Sequence, residues 1–408
     1  MREISLDVRS EPGSRVRVRV LLPDAPRWNG RLLVLGNGGG GGKTPDKAME
    51  DFARAGWATA GSDAGTAPNP AVAGIGNVAV WRDFGHRATH VAALEARRSV
   101  RSAFGREPKT SAFWGESTGG EQALAAVQRH PEDFDAVLCG VPVVHRAALH
   151  AYFLWCRRIL FPDGRHPLFS PVQWRGVRAA AVETLAAADP FPGAEGRFYS
   201  RRHDSFPAEA LDAAARLAGE RDPSLGPVRV RALRSLYDGP RRTDTGERIF
   251  CGFPPGAPYD GSVRNLWLFD WAAGCAGAAE KFNFGKDFDR YSGALAPELD
   301  ASSPDIGAFL ARGGKLLVYA GTMDACTPCP DVLDWFDGVK ARFGGAAAPA
   351  LRGGVRVYLL PGRTHTGGPG FQRLVRPLET LLRWRERGEE PVASAAGPSL
   401  PRLRLQPL

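Results

Sequence analysis

Hydrophobic and polar positions follow short, regular patterns over the first third of the chain. Residues 15–22 (RVRVRVLL) alternate between apolar and charged side chains, which predicts a strand with one face in water. Residues 31–36 (RLLVLG) form an apolar run typical of a strand buried on both faces. The same patterns predict the other elements of this part, which are strands at 57–60, 111–114 and 135–139 and helices at 46–55, 87–104 and 119–130.

This alternation stops and later begins again. From about 146 to 305 the chain is rich in Trp, Phe, Pro, Arg and helical Ala runs, and strands and helices do not alternate there. The pattern returns with predicted strands at 315–320 and 355–360 and predicted helices at 331–343 and 371–386. Alternating strands and helices favour an α/β fold, with a mostly parallel sheet covered by helices on both faces.

The order of these blocks predicts a core interrupted by an insertion. We expect residues 1–145 and 306–388 to form the two parts of the core. Residues 146–305 are expected to form a large inserted lid domain, because insertions at the carboxyl edge of such sheets commonly cover a ligand site. Residues 389–408, rich in Pro, Ser and Ala, are predicted to be a flexible tail.

The charge of the chain changes this picture little. The formal net charge is +9, but the arginines that dominate it are spread over the whole length. A nucleic-acid interface needs basic residues clustered on one element with aromatic residues among them, and the sequence contains no such cluster. We therefore expect no nucleic-acid partner.

Targeting and cysteine patterns favour a reducing, aqueous setting. The first residues, MREISLDVRSEPG, contain no apolar signal core, and no run of 18 apolar residues predicts a membrane span. Of the six cysteines, Cys326 and Cys329 form a CxxC pair and the others are far apart. A zinc site needs about four ligands, and no second pair is available. We expect a cytoplasmic protein with mostly free thiols, no metal and no other cofactor.

The strongest local signal for chemistry is the sequence Gly115-Glu116-Ser117-Thr118-Gly119. It matches G-x-S-x-G and lies between a predicted strand and a predicted helix. Serine is a poor nucleophile, so its Oγ must be exposed on a sharp turn and paired with a base. The sequence therefore predicts Ser117 as a nucleophile, with a structural Gly/Ser turn as the alternative.

The base and its orienting carboxylate are predicted from their places after late strands. His365 lies in LLPGRTHTGG, a glycine-rich loop at the carboxyl end of the last predicted strand. Asp324 lies in YAGTMDACTP, after the strand before it. Together with Ser117 they give the order Ser, Asp, His along the chain. We predict that Asp324 orients His365 and that His365 accepts the serine proton.

An oxyanion site needs backbone N–H groups near the nucleophile. Thr118 is predicted to supply one, and Gly38 and Gly39, in the glycine tract after the second buried strand, to supply the other. Phosphate binding is the alternative for this tract, because Lys43 and Thr44 follow it. A P-loop, however, would need a glycine where Asn37 stands.

At this point five separate blocks resemble one known family. The segments WNGRLLVLGNGGGGG, DFGHRATH, GESTGGEQALAAVQRHPEDFDAVLCGVP, SLYDGPRRTDTGERIFCGFPPG and YAGTMDACTP with LLPGRTHTGG are similar to those of the tannase and feruloyl esterase family of α/β-hydrolases. The resemblance implies an α/β-hydrolase fold with an inserted lid and esterase chemistry on phenolic acyl esters. The catalytic residues of the family match Ser117, Asp324 and His365.

The sequence departs from this family in two places. The family usually has cysteines before the nucleophile and after the histidine, joined in a disulfide, whereas here those positions hold Glu116 and Thr366. We hypothesise that a Glu116–Thr366 hydrogen bond spans the gap; alternatively, Glu116 faces the pocket as an acid or base. The family also commonly carries a calcium loop of aspartates in the lid, and no such cluster is found at 160–225, so no calcium is predicted.

The function expected from these residues is hydrolysis of a carboxylic ester carrying an aromatic or polycyclic group, through an acyl-enzyme. His145 and Trp155, near the start of the predicted lid, are candidates for substrate contact. One alternative is an intracellular tailoring enzyme of secondary metabolism that uses the same triad for acyl transfer, cyclisation or bond formation. Another is a ligand-binding protein without activity, which an intact triad disfavours.

Overall fold

The protein is described by a computed structural model, which covers residues 1–189, 198–259, 261–365 and 377–391. Eight strands in this part of the chain form one sheet in the order β1-β2-β4-β3-β5-β6-β7-β8. The strands are β1 (Arg2–Val8), β2 (Val16–Leu22), β3 (Arg31–Leu35), β4 (Ala58–Ser62), β5 (Thr110–Glu116), β6 (Ala136–Gly140), β7 (Lys315–Gly321) and β8 (Val355–Leu360).

The sheet has an antiparallel edge and a parallel body. β2 runs antiparallel to both β1 and β4, with Val18 opposite Ser62 in the second pair. From β4 through β3, β5, β6 and β7 to β8, all neighbours run parallel. In a parallel body the carboxyl ends of the strands meet at one edge, which is where ligands bind open α/β sheets.

Helices connect the strands and form the segment between β6 and β7. In the described residues they are α1 (Asp46–Arg54), α2 (Pro70–Ala73), α3 (Val78–Arg82), α4 (Ala88–Phe104), α5 (Thr118–Arg129), α6 (Arg146–Leu160), α7 (Pro171–Ala188), α8 (Ala208–Arg221), α9 (Gly226–Asp238), α10 (Trp267–Ala273), α11 (Phe288–Leu299), α12 (Gly307–Ala311), α13 (Cys329–Arg342), α14 (Pro349–Gly354) and α15 (Pro377–Arg387).

Helices cover both faces of the parallel body of the sheet, and side chains that alternate along each strand pack against one layer or the other. In β3, Leu32 and Val34 join one apolar cluster with α4, α5 and α13, whereas Leu33 and Leu35 join another with α1 and α15. All four of these side chains are buried. The sheet is therefore a middle layer between two layers of helices, as the sequence predicts.

The described part of residues 146–299, here called the helical segment, packs around two further apolar clusters, which it shares with parts of the core. One cluster joins α6 to α7, α8 and α9, and the other joins α6 to α10 and α11. The only β pairing among its described residues is an isolated bridge between Arg241 and Arg248. The Tyr152 hydroxyl donates to the Ala325 carbonyl at 2.9 Å. This bond fastens α6 to the loop after β7, at the carboxyl edge of the sheet.

Most predicted elements are found within a few residues of their expected bounds, and the α/β fold is confirmed. The sequence analysis did not predict β1, which pairs with β2 along its whole length. The last helix is described from Pro377, and residues 371–376 and 392–408 lie outside the described part of the chain. The division into core, lid and tail stays a prediction.

Candidate active site

Ser117 stands on a sharp turn between β5 and α5. Its backbone has φ 61° and ψ −119°, a conformation that a residue with a side chain rarely adopts. The chain passes so close to itself here that a Cβ on Gly115 would lie 2.4 Å from the Gly119 carbonyl oxygen. Glycine is therefore required at position 115. The strain leaves the serine side chain at the carboxyl edge of the sheet, where a ligand can reach it.

His365 and Asp324 meet Ser117 at this edge. His365 Nε2 lies 3.1 Å from Ser117 Oγ, and His365 Nδ1 lies 2.9 Å from Asp324 Oδ2. Asp324 follows β7 and His365 follows β8, so neighbouring parallel strands bring the residues together across 248 positions of sequence. With Nδ1–H donating to the carboxylate, Nε2 is free to accept the serine proton.

Asp324 is buried but well supplied with donors. The backbone N–H groups of Cys326 and Thr327 both donate to its Oδ1 at 2.9 Å, and the Thr327 hydroxyl donates to Oδ2 at 3.0 Å. Burial opposes protonation of His365, but the neighbouring Asp324 carboxylate outweighs it and raises the pKa of the imidazole. The site therefore stabilises the imidazolium that forms when a serine proton is transferred.

The predicted oxyanion residues lie next to the serine. Thr118 is the first residue of α5, and the first N–H groups of a helix have no partner within the helix. The Thr118 hydroxyl donates to the Gly39 carbonyl at 2.5 Å, which joins the two segments. Gly39 lines the cavity at Ser117, whereas Gly38 is not among its lining residues. Of the two predicted glycines, Gly39 is thus the better placed.

A buried ion pair behind this loop was missed by sequence reasoning. The Arg146 guanidinium donates to Glu121 of α5 and, at 2.9 Å, to the Thr118 hydroxyl. Arg146 is 4% exposed and Glu121 is fully buried. Burial raises the pKa of Glu121 to about 7, although the adjacent Arg146 opposes this shift. Glu121, Arg146, Thr118 and the Gly39 carbonyl form one chain of contacts beneath the oxyanion loop.

Glu116, directly before the nucleophile, is paired with side chains from later in the chain. It accepts hydrogen bonds from the Tyr319 hydroxyl and, at 3.1 Å, from the Arg363 guanidinium. It lines a second cavity, of about 400 Å³, and is not among the lining residues of the cavity at Ser117. Glu116 therefore does not line the cavity at Ser117 as that alternative expects, and a role as acid or base stays an untested prediction. Thr366 lies outside the described residues, so its proposed bond to Glu116 stays a hypothesis.

The cavity at Ser117 has a volume of about 260 Å³ and a mixed wall. It is lined by Gly39, Ser117, Thr118, Val143, Arg146, Leu149, His150, Phe153, Gly261, Asn265, Trp267, Cys326 and His365. Three rings of the helical segment meet in this wall, because His150 lies 5.3 Å from Phe153 and 5.1 Å from Trp267 between ring centroids. The cavity thus places Ser117 opposite a wall that contains the rings of His150, Phe153 and Trp267.

Two sequence candidates for substrate contact lie elsewhere. His145 is not a lining residue, because its Nδ1 is 2.7 Å from Asp331 Oδ1, at the start of α13. Trp155 points its Nε1–H to the Ser235 carbonyl at 3.2 Å and does not line the cavity either. His145 and Trp155 are close in sequence to the cavity residues of α6, but neighbouring positions of a helix lie on different faces. Closeness in sequence therefore did not identify the residues that line the cavity.

Residue types that can bind metals also occur outside the triad. Cys326, one of the CxxC pair, lines the cavity at Ser117. In the described chain, His90, His130 and Glu132 place possible ligand atoms within 4.8 Å of one another. However, the rings of His90 and His130 stack with their centroids 4.0 Å apart and their planes 13° from parallel, so they do not aim two lone pairs at one ion. This cluster therefore does not fit a metal as it stands.

Comparison with known proteins places these observations in context. The family model for tannase and feruloyl esterase matches residues 4–284 and 279–400. The "Probable feruloyl esterase" of Arthroderma benhamiae is 27% identical, over 92% of this chain and 74% of its own. The mono(2-hydroxyethyl) terephthalate hydrolase of Piscinibacter sakaiensis is 25% identical, over 92% of this chain and 74% of its own.

Solved structures agree on the fold. Feruloyl esterase B from Aspergillus oryzae superposes with a TM-score of 0.79 at 22% identity, covering 95% of this chain and 82% of its own. Tannin acyl hydrolase from Aspergillus niger gives a TM-score of 0.72 at 15% identity, covering 95% of this chain and 78% of its own.

Among the described residues, none of the helices combines the length and the apolar character needed to cross a membrane.

Proposed function

The chain belongs to the tannase and feruloyl esterase family and is a carboxylic ester hydrolase, and we propose that it cleaves esters of aromatic acids through an acyl-enzyme on Ser117. The contact chain from Asp324 through His365 to Ser117, at the wall of a cavity that also includes Phe153 and Trp267, is the observation that carries this proposal. Related proteins named for esters of ferulic and terephthalic acid, both aromatic, support it.

In the first step Ser117 Oγ forms a bond to the ester carbonyl carbon as its proton passes to His365 Nε2, 3.1 Å away. The carbonyl π electrons move to oxygen, where the N–H groups of Thr118 and Gly39 stabilise the negative charge. Asp324 holds the imidazole in the required tautomer and stabilises its positive charge. When the oxyanion collapses, the bond to the alkoxy group breaks, and the alcohol leaves with the proton from His365.

In the second step a water molecule takes the place of the alcohol. His365 accepts a proton from this water, whose oxygen attacks the acyl carbonyl, and the proton then returns to Ser117 as the acid departs. The aromatic acyl group stays against the cavity wall during both steps. Phe153 and Trp267 can contact an aryl ring there through edge or face packing.

The proposal is tested by combining active-site labelling with product analysis. A fluorophosphonate probe is expected to label the wild type at Ser117, and methyl cinnamate or methyl benzoate to be converted to free acid and methanol. Rapid mixing is expected to show that methanol appears before the acid when the second step is slower. Labelling elsewhere, or acyl transfer without release of acid, contradicts the proposal.

A further inference from the structure

The cavity contains a histidine whose ring has no hydrogen-bond partner in the protein. His150, one turn after Arg146 on α6, is 1% exposed, and both Nδ1 and Nε2 are buried without a partner. It is the only histidine among the described residues for which this holds at both ring nitrogens. Buried polar atoms in folded proteins are nearly always paired, so this ring calls for a partner from outside the chain.

His150 belongs to the wall of the cavity that contains Ser117. It lines the same cavity as Ser117 and His365, and no other cavity described here includes it. A second buried histidine shows the contrast. His203, in the helical segment, has its Nε2 at 2.8 Å from the Gly252 carbonyl, so the protein itself satisfies that atom. His203 Nδ1 also lacks a partner, so what distinguishes His150 among the described histidines is that neither of its ring nitrogens is paired.

The charge state of His150 limits what it can bind. Burial lowers the pKa of its imidazole far below the ordinary value, and the nearby Arg146 guanidinium acts in the same direction. The ring is therefore neutral at pH 7 and offers one N–H donor and one lone pair. A hydroxyl group can donate to one of these nitrogens or accept from the other, so it fits either tautomer.

The neighbours of His150 favour an uncharged group over an ionic one. Arg146 is the nearest cation on the cavity wall, and its charge is already opposed by Glu121. Two rings, those of Phe153 and Trp267, flank the imidazole. A carboxylate only accepts hydrogen bonds and would have to lose its hydration against these rings, whereas a phenolic hydroxyl adds one polar atom to an apolar ring.

We propose that His150 determines substrate specificity by hydrogen-bonding a hydroxyl group on the aromatic ring of the acyl part of the ester. This inference rests on the proposed function, because it assumes that the acyl ring lies between Ser117 and the wall formed by α6 and Trp267. The acyl group is the part concerned, since it remains bonded to Ser117 after the alcohol has left. His150 thus selects among substrates and takes no part in bond breaking.

The test compares matched esters in matched variants. Methyl benzoates and methyl cinnamates are used unsubstituted, with one hydroxyl at position 3 or 4, or with a carboxylate at position 4. The wild type is expected to favour the best hydroxylated ester over its unsubstituted parent by about 30- to 100-fold in kcat/KM. Without the hydroxyl, the buried ring nitrogens of His150 have no hydrogen-bond partner. In His150→Phe this ratio is expected to fall below about 3-fold.

Two further variants separate recognition from general damage. His150→Gln retains a donor and an acceptor and is expected to keep part of the preference. Trp155→Phe, on the same helix but outside the cavity, is expected to keep all of it. Fluorophosphonate labelling and thermal unfolding show in each variant whether the nucleophile and the fold are intact.

The outcomes distinguish this inference from the function on which it rests. If the wild type neither hydrolyses any of these esters nor reacts with the probe, the proposed function fails. If it hydrolyses them but shows no preference for a hydroxyl, or if His150→Phe loses activity equally on both kinds of ester, only the role of His150 is wrong. A preference for the 4-carboxylate also overturns this role.

Discussion

The carboxyl edge of the sheet and the wall formed by the helical segment differ in whether their polar side chains have hydrogen-bond partners within the protein. At the sheet edge Asp324 receives three hydrogen bonds from its own loop, and His365 is held between Asp324 and Ser117. On the opposite wall, His150 is buried with both ring nitrogens unpaired. The polar side chains at the sheet edge have hydrogen-bond partners within the protein, whereas we propose that the substrate supplies the partner for His150. This difference suggests that the core performs the chemistry and the helical segment chooses the substrate.

The largest expected effect comes from removing the nucleophile at the sheet edge. Ser117→Ala is expected to lower kcat by at least about 10⁴-fold, because without the hydroxyl no acyl-enzyme forms. Substrate affinity, measured by equilibrium binding, is expected to change little. Ser111→Ala, on the same strand but away from the cavity, is the control and is expected to keep full activity. Equal losses in both variants would mean that damage to β5, not loss of the nucleophile, explains the effect.

The next effect lies at the boundary between the two regions. Arg146→Gln is expected to lower kcat by about 10- to 100-fold with a smaller change in KM, because Thr118 and the Gly39 carbonyl lose the guanidinium that positions them. Arg158→Gln is the matched control, since Arg158 on the same helix donates to the carbonyls of Ala279, Glu280 and Phe282. A change in KM alone would mean that Arg146 binds substrate and does not position the oxyanion loop.

A substitution in the cavity wall formed by the helical segment is expected to change substrate binding more than kcat. Trp267→Leu is expected to raise KM for aryl esters by about 10-fold and to change kcat by less than about 3-fold, because packing against the ring is lost equally in the ground and transition states. Methyl hexanoate, which has no ring, serves as the control substrate. Its KM is expected to rise less, and an equal rise for both esters would contradict the assignment of Trp267 to the aryl group.

A smaller effect is expected behind the nucleophile. Glu116→Gln is expected to reduce kcat by about 3- to 10-fold, since the pair with Arg363 links the loop of Ser117 to that of His365. The effect is limited because the Glu116 side chain is 39% exposed, and exposed ion pairs contribute little. Measuring kcat at low and high salt checks this, because wild-type activity should fall toward that of the variant as salt screens the pair. A salt response identical in both proteins would argue against it.

The smallest effect concerns the contact that joins the two regions. Burial opposes protonation of His145, but the Asp331 carboxylate outweighs it and raises the pKa of the imidazole to about 9. The folded state thus binds a proton more tightly than the unfolded state, so this stabilisation is complete below pH 6.5 and is lost as the pH rises toward 9. Urea unfolding between these values should show a decline that His145→Gln reduces. A decline of equal size in the variant would assign it to other groups.

The sequence predicts the sheet edge well because the signals there are local. Ser117 is marked by glycines at close spacing between a strand and a helix, and Asp324 and His365 each follow an apolar strand. The structure places these three side chains within hydrogen-bonding distance in a row. Their catalytic roles, like the cytoplasmic setting, stay predictions until measured.

The wall and its supports could not be predicted in the same way. Whether Arg146, His150 or Trp155 faces the cavity depends on how α6 rotates against the sheet, and the sequence of α6 is apolar on more than one side. One signal was available, however. Glu121 lies within the buried run of α5, and a carboxylate there needs a partner, which the structure supplies as Arg146.

The position of β8 at the edge of the sheet has a consequence for how the enzyme matures. Ser117 lies 248 positions before His365, so its codon is translated long before that of its base. On the ribosome, a chain that has folded only as far as β7 carries an unactivated serine, and reactivity appears when β8 docks beside it. Probe labelling of stalled nascent chains is therefore expected to appear only when the chain is long enough for β8 to dock.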